Sequence, residues 1–369
     1  MQKLLIYWPM GIFDHTQMHK EIGAIALAAK KKNLDTTVVC GKFEDVDHPF
    51  DDFETGMVKS NFLTKIIDPL LTLKVILKKR PDYLLLYRIE NYGNIFLILI
   101  LKLMLIIPDE HKTKLKVFIK SDTDGSFINS RKFFQSLAYK LIILIFIKLT
   151  GGIIIETTCA LDKISIFIKK KEGLIHIPDG YSKDLFYYSN DNERKNVVIC
   201  IARITPVKNL EAVIRIYKKI SQKFEYMMFK IIGPVIDIEY ELKIRNMIDQ
   251  YGLSDKIELL NPKSEILAEI IRESILSISM SLKESFGIAR MESLGCGTPV
   301  VTYDIGCGED FKQYGAIVVP FGDEEAVYTE SIKLLSDNGY WRRKSDESRK
   351  LSISWDEVVD KLINHFISA

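Results

Sequence analysis

Residues 275–301 read ILSISMSLKESFGIARMESLGCGTPVV. The short apolar run 275–280 has the length of a buried strand, and 288–294 (IARMESL) opens a helix. Gly295, Gly297 and Pro299 stop that helix and turn the chain into a further strand-like run, 299–304 (PVVTYD). Strand, helix and strand in immediate succession are the signature of a parallel α/β sheet.

The same alternation extends in both directions. In the second half, strand-like runs fall at 196–202, 227–233, 256–260, 275–280, 299–304 and 316–320, and 208–220 (KNLEAVIRIYKKI) places Leu210, Val213, Ile214 and Tyr217 at helical spacing. The first half has its own series at 3–8, 36–40, 83–87, 116–120, 152–156 and 174–178. Between the halves, 179–195 is polar and turn-rich, as a linker is, and the boundary is expected near Asn190. A chain of 369 residues exceeds what one core usually serves. The fold class is therefore α/β: two Rossmann-like, doubly wound domains over 1–189 and 190–350, facing a deep cleft at the carboxyl ends of their strands. Residues 351–369 form a closing helix expected to pack back on the first domain.

Hydrophobic residues at 47% and charged residues at 27% exclude a disordered chain, and no short repeat marks a solenoid. Cys40, Cys159, Cys200, Cys296 and Cys307 are odd in number and scattered, without a C-x-x-C pair, which fits a reduced, cytoplasmic compartment better than a disulfide framework. Residues 1–9 do not read as a secretory signal. Residues 1–185 hold 27 Lys+Arg against 21 Asp+Glu, a balance of +6 that leaves −4 for the remainder of a chain whose net charge is +2. Lysine-rich stretches in that basic half fit ordinary solvation or an anionic membrane surface equally. The apolar stretches 95–107 and 141–149 are each shorter than the roughly 20 residues a spanning helix needs, and read as buried helices or as membrane-contacting faces.

The chemistry is expected after strand 275–280. Glu284 sits in the loop, Gly287 permits close backbone approach, and the helix opening at Ile288 and Ala289 points its first amides at an anion such as a phosphate. Glu292, eight residues beyond Glu284, would be repelled by a diphosphate and suits neutral hydroxyls such as a ribose diol; alone, it reads as an ordinary helical glutamate.

The spacing of Glu284 and Glu292, with S-F-G between them and L-G-C-G-T-P-V-V after, resembles the donor-binding signature of retaining GT-B glycosyltransferases of family 4, the glycosyl transferases group 1. The stretches 174–186 (LIHIPDGYSKDLF), 202–209 (ARITPVKN), 229–234 (FKIIGP), 304–311, 315–327 and 354–364 follow the family's order. The likeness is strong from about 174 onward; before that it rests on the α/β pattern and Gly11.

The resemblance implies transfer of a sugar, with retained anomeric configuration, from a nucleotide-diphosphate donor, a UDP-sugar before a GDP-sugar. The acceptor would be a glycan or lipid-linked sugar in bacterial capsule or lipopolysaccharide synthesis. Arg203 and Lys208 would stabilise the charge on the departing diphosphate, Glu284 would hold donor-sugar hydroxyls and Glu292 the ribose. The backbone at Phe286, Gly287, Ile288 and Ala289 would serve sugar and phosphate, with Gly233 and Gly11 allowing close approach. No metal and no other cofactor is required, and no nucleic-acid partner is expected. Where the family often has a histidine facing the transferred sugar, this chain reads 119–127 (IKSDTDGSF). Asp122 or Asp124 takes that role, or the stretch is a turn; the same D-T-D also admits a metal-bound diphosphate. His15 and His19 have ligand spacing without a third ligand. The alternatives are a hydrolysing epimerase on the same fold, separable by product analysis, and a non-catalytic GT-B subunit, which would not need to keep all four of Arg203, Lys208, Glu284 and Glu292.

Overall fold

A computed structural model describes residues 1–13, 20–43, 53–55, 64–89, 92–106, 115–123, 128, 133–189, 194–306 and 308–368. Two compact units divide the chain: Met1–Gly180 with Trp355–Ala369, and Tyr181–Ser354.

The first unit runs β1 (Lys3–Phe13), α1 (Glu21–Lys31), β2 (Asp35–Phe43), β3 (Phe53–Thr55), α2 (Thr64–Lys79), β4 (Tyr83–Tyr87), α3 (Tyr92–Ile106), β5 (Lys116–Ser121), α4 (Phe133–Leu149), β6 (Ile153–Ile155), α5 (Thr158–Ile168) and β7 (Leu174–His176). Its strands form a parallel sheet in the order β3-β2-β1-β4-β5-β6-β7. The central strands are apolar at successive positions, not alternate ones, because helices cover both faces: Tyr83 to Tyr87 are all buried. β3 was not expected. It spans three residues and exists through its pairing with β2, Val38 opposite Phe53 and Cys40 opposite Thr55.

The second unit runs β8 (Lys195–Ile201), α6 (Leu210–Lys223), β9 (Met228–Ile232), α7 (Ile238–Gln250), β10 (Ile257–Leu260), α8 (Ser264–Glu273), β11 (Ser274–Ser279), α9 (Ile288–Gly295), β12 (Val300–Tyr303), β13 (Ile317–Val319), α10 (Glu324–Ser336) and α11 (Asn338–Glu347). The sheet order is β10-β9-β8-β11-β12-β13. Taken from β8 as the first strand, this is the 3-2-1-4-5-6 winding of the dinucleotide-binding fold, with its reversal between β8 and β11. One face packs Leu210, Val213, Ile214 and Tyr217 of α6 into the core with Phe229 and Ile231, as the helical spacing predicts.

The division between units falls at Gly180/Tyr181, not near Asn190. Tyr181 and Phe186 are buried with Leu294, Cys296 and Leu351 in the second unit's core, and the Tyr181 amide donates to the Ile353 carbonyl, so the apolar residues of the linker belong to that unit. The closing helix α12 (Trp355–Ser368) starts at 355 instead of 351 and belongs to the first unit. Its Phe366 ring lies 4.8 Å from those of Tyr83 and Phe118, and Lys116 donates to the Phe366 carbonyl at 2.8 Å.

The two apolar stretches form α3 and α4. Each is buried on one side, through Leu97, Ile98 and Leu101 or Ile143 and Phe146, and exposed on the other at Phe96 and Leu99 or Leu137, Leu141 and Ile145. Of the two readings offered for these stretches, burial therefore describes one side of each helix and leaves the other side exposed.

Candidate active site

In a doubly wound sheet the helices on the two sides of the winding reversal diverge, leaving a crevice at the carboxyl ends of the two central strands. In the second unit these strands are β8 and β11, and Arg203, Lys208 and Glu284 all lie in the segments that leave them. After β8 the chain passes Arg203, pairs Ile204 with Val235, makes a short 3-10 turn at Pro206–Lys208, and enters α6 through Asn209 in the left-handed conformation. The Asn209 side-chain amide donates to the Met280 carbonyl at 3.2 Å and the Leu282 backbone amide to the Val207 carbonyl at 2.8 Å. The two loops are thereby fixed to each other, although they lie far apart in sequence.

Lys208 and Glu284, 76 residues apart, meet there at 2.5 Å, and the Ser281 hydroxyl donates to the same carboxylate oxygen at 2.9 Å. The sequence reading gave Lys208 to a phosphate and Glu284 to a sugar; in the structure they neutralise each other. Burial pushes the Glu284 carboxyl up, but Lys208, Arg290 and the hydrogen bonds from Lys208 and Ser281 outweigh it and hold the group below the usual carboxylate range. It is a carboxylate at neutral pH. Arg203 is exposed and makes no ion pair among the described residues.

Two glycines shape this corner. Gly287, with φ of 86°, caps the start of α9, where a Cβ would lie 2.5 Å from Nε of Arg290. Gly233 follows β9 with φ of 155°, and a Cβ there would lie 2.3 Å from the Ala202 carbonyl oxygen. Both allow backbone to approach where a side chain would block it. Arg290 was not singled out in the sequence. It is 2% exposed, donates to the Phe286 carbonyl at 2.6 Å and the Ile305 carbonyl at 3.3 Å, and lies 5.1 Å from the Phe311 ring. It thus ties the segment that carries Phe286, Gly287, Ile288 and Ala289 to the loop after β12. Phe286 is buried in edge contact with Phe311, so its backbone is all it can offer a ligand. Glu292 is 3% exposed on α9.

Gly11 lies in β1, near a register shift between Trp8 and Ile12. Asp122 follows β5, half-buried; Asp124, His15, His19 and Cys307 lie outside the described residues. Beside Asp122 stands a cluster the sequence did not reveal. Lys120, fully buried, lies 2.7 Å from Asp179 and 3.5 Å from Glu156 and pairs with Glu21 at the first turn of α1. Burial pushes the Lys120 ammonium down, and Asp179, Glu21 and Glu156 more than reverse this, holding it well above the usual lysine range. Burial raises the carboxyl of Glu21 to about 7 and that of Glu156 well above the ordinary value; in both, Asp179 adds to the rise and Lys120 opposes it. Ligand atoms of Glu21, Glu156 and Asp179 lie within 4.8 Å of one another, a spacing that could hold a metal, but the Lys120 ammonium pairs with all three carboxylates.

Comparison with known proteins agrees with this fold. Sucrose-phosphate synthase from Thermosynechococcus elongatus superposes over 100% of this chain and 99% of its own with a TM-score of 0.75 at 14% identity. Anabaena HepE, solved with UDP and glucose, superposes over 100% of both chains with a TM-score of 0.75 at 12% identity. Two Rossmann-like units of this winding define the GT-B class of fold, to which the chain belongs. Within it, residues 184–351 match the family model described as Glycosyl transferases group 1. Among curated relatives, poly(glycerol-phosphate) alpha-glucosyltransferase of Bacillus subtilis is 31% identical over 170 residues, 44% of this chain and 24% of the relative. N-acetyl-alpha-D-glucosaminyl L-malate synthase of Bacillus anthracis is 25% identical over 162 residues, 43% and 41% respectively. The chain spans less than half the length of these curated relatives.

Proposed function

We propose that this protein is a retaining family 4 glycosyltransferase that takes a sugar from a nucleotide-diphosphate donor, a UDP-sugar in preference to a GDP-sugar. The acceptor is a glycan or lipid-linked sugar of bacterial surface polysaccharide, met at the cytoplasmic side of a membrane. The observation that carries the reading is the convergence of Arg203, Lys208, Glu284 and the capped start of α9 on one winding reversal. A structural neighbour solved with UDP and glucose, and a relative named an alpha-glucosyltransferase, support the donor preference.

The chemistry follows from charge. As the glycosidic bond breaks, negative charge grows on the diphosphate, and Arg203 and Lys208 stabilise it together with the amides at the start of α9. Lys208 turns from Glu284 to the diphosphate, and Glu284, kept ionised, then accepts hydrogen bonds from donor-sugar hydroxyls. Glu292 takes the ribose, Gly233 and Gly11 allow close approach, and Asp122 orients an acceptor hydroxyl. With no enzyme nucleophile in this set, the acceptor attacks from the face the diphosphate leaves, and the leaving phosphate accepts its proton. The residues need no metal for the donor's charge.

Product analysis after incubation with UDP-glucose and a lipid-linked or glycan acceptor tests the reading. Release of UDP matched by an alpha-glycosylated acceptor is expected. UDP release with an epimerised free sugar, with or without acceptor, would establish the hydrolysing epimerase instead. No turnover of UDP-, GDP- or ADP-sugars would leave the non-catalytic subunit as the answer.

A further inference from the structure

Helices α2, α3, α4 and α5 lie side by side in the first unit, each touching the next. Their outward residues form stripes: Phe96 and Leu99 then Lys102 on α3; Leu137, Leu141 and Ile145 then Lys148 on α4; Leu77 between Lys74 and Lys78 on α2. Every one of these is exposed, and Ile166 on α5 continues the surface at 75% exposure. Spacings of three and four residues align each stripe along its helix. α3 and α4 contain three lysines and no aspartate or glutamate; with α2 the count is seven lysines to one aspartate. That is +6 on three helices of a chain whose whole net charge is +2.

We propose that this face docks the protein onto an anionic lipid surface, with Phe96, Leu99, Leu137, Leu141 and Ile145 entering the headgroup boundary and the lysines meeting lipid phosphates. A second copy of the chain is a poor occupant, because two faces of the same strong charge repel. A bilayer supplies both demands at once: acyl chains for the aliphatic stripe, and negative charge within reach of lysines whose stems lie along it. The helices lie on the surface and do not cross it. Among the described residues no helix is long and apolar enough to span, and the 15 residues of α3 fall short of the roughly 20 needed. The inference deepens the lipid-linked-acceptor reading and rests on it for its purpose. Vesicle binding requires neither donor nor acceptor, so the two can fail separately.

Co-sedimentation of the full chain with phosphatidylcholine vesicles, with and without about one third phosphatidylglycerol, tests it. Binding is expected only to the anionic vesicles, falling with added salt. Lys102→Gln with Lys148→Gln should weaken it about fivefold per lysine. Leu137→Gln with Leu141→Gln and Ile145→Gln should abolish it, whereas Ile238→Ser with Leu242→Ser, exposed apolar positions of the second unit, should leave it intact. Circular dichroism melts show whether the variants fold; should the triple variant not, Leu141→Trp replaces it, its fluorescence shifting to the blue on anionic vesicles. Equal binding to neutral vesicles, an unshifted Leu141→Trp, or indifference of binding to both stripe variants would overturn the proposal. So would a dimer that the apolar variant dissociates in a protein that ignores vesicles.

Discussion

Lys208 and Glu284 answer each other's charge, so any diphosphate that takes Lys208 competes with Glu284 for it. Removing the competitor's charge should separate nucleotide binding from transfer: Glu284→Gln should bind UDP more tightly than the parent by isothermal titration, while sugar transfer falls roughly 100-fold or more. Weaker UDP binding in that variant would mean that the pair is structural only. Glu21 gives a second prediction through pH. Its carboxyl, about 7 in the folded protein against an ordinary 4.5, binds protons more tightly folded than unfolded, so its contribution to stability is complete below pH 4.5 and is lost as pH rises through about 7. Glu21→Gln should therefore gain on the parent as pH is raised from 5 to 8, by about 2–3 kcal/mol in urea unfolding. A difference that shrinks with pH would contradict the assignment. Glu284, Arg203, Lys208 and Gly287 were legible in the sequence because each sits at a strand-to-helix passage whose local pattern is strong. Their pairing was not, because it depends on which strands lie side by side. Lys120, Glu156, Asp179 and Glu21 come from four elements, and no local pattern joins them.

At the scale of elements, α9 carries the tightest constraint. It must begin where backbone amides stay open to a ligand, and Gly287 is the only residue type that fits both its left-handed φ and the Arg290 guanidinium beneath it. Gly287→Ala should cost about 1–3 kcal/mol of stability of the second unit, measured by chemical denaturation, since the new Cβ has to displace Arg290 from the Phe286 and Ile305 carbonyls. An unchanged midpoint would show that the turn tolerates a side chain. The long apolar runs identified twelve of the thirteen strands among the described residues, because central parallel strands are apolar throughout. β3 escaped: three residues in the acidic stretch 51–55 (DDFET) carry no period of their own. Which sides of α3 and α4 are exposed was hidden for the opposite reason. These helices are apolar all round, so periodicity could not say which side faces the core.

Over the whole molecule, the chain leaves the first unit at Gly180 and returns to it at Trp355, so the first unit is completed only by the last segment. Trp355, Val358, Val359, Leu362 and Phe366 are all buried, and at about 1.5–3 kcal/mol for each such side chain, deleting 355–369 removes an amount comparable to a domain's whole net stability. Hydrogen exchange of the truncated chain should show the first unit unprotected and Tyr181–Ser354 still protected; a first unit that keeps its protection would contradict this division. The boundary was misread by about ten residues because 179–195 looks like a linker by composition, yet Tyr181 and Phe186 in it are core residues. The likeness to the family was plain in the second unit, through the stretch from Glu284 to Val301, and faint in the first, where it rested on the α/β pattern and Gly11. The central claim is that a nucleotide-sugar is held at the winding reversal of the second unit, and hydrogen exchange with saturating UDP-glucose tests it most directly. The account predicts slowed exchange at the amides of 286–290 and across 203–210, lost in Arg203→Ala; protection that appears elsewhere and spares both segments would contradict it.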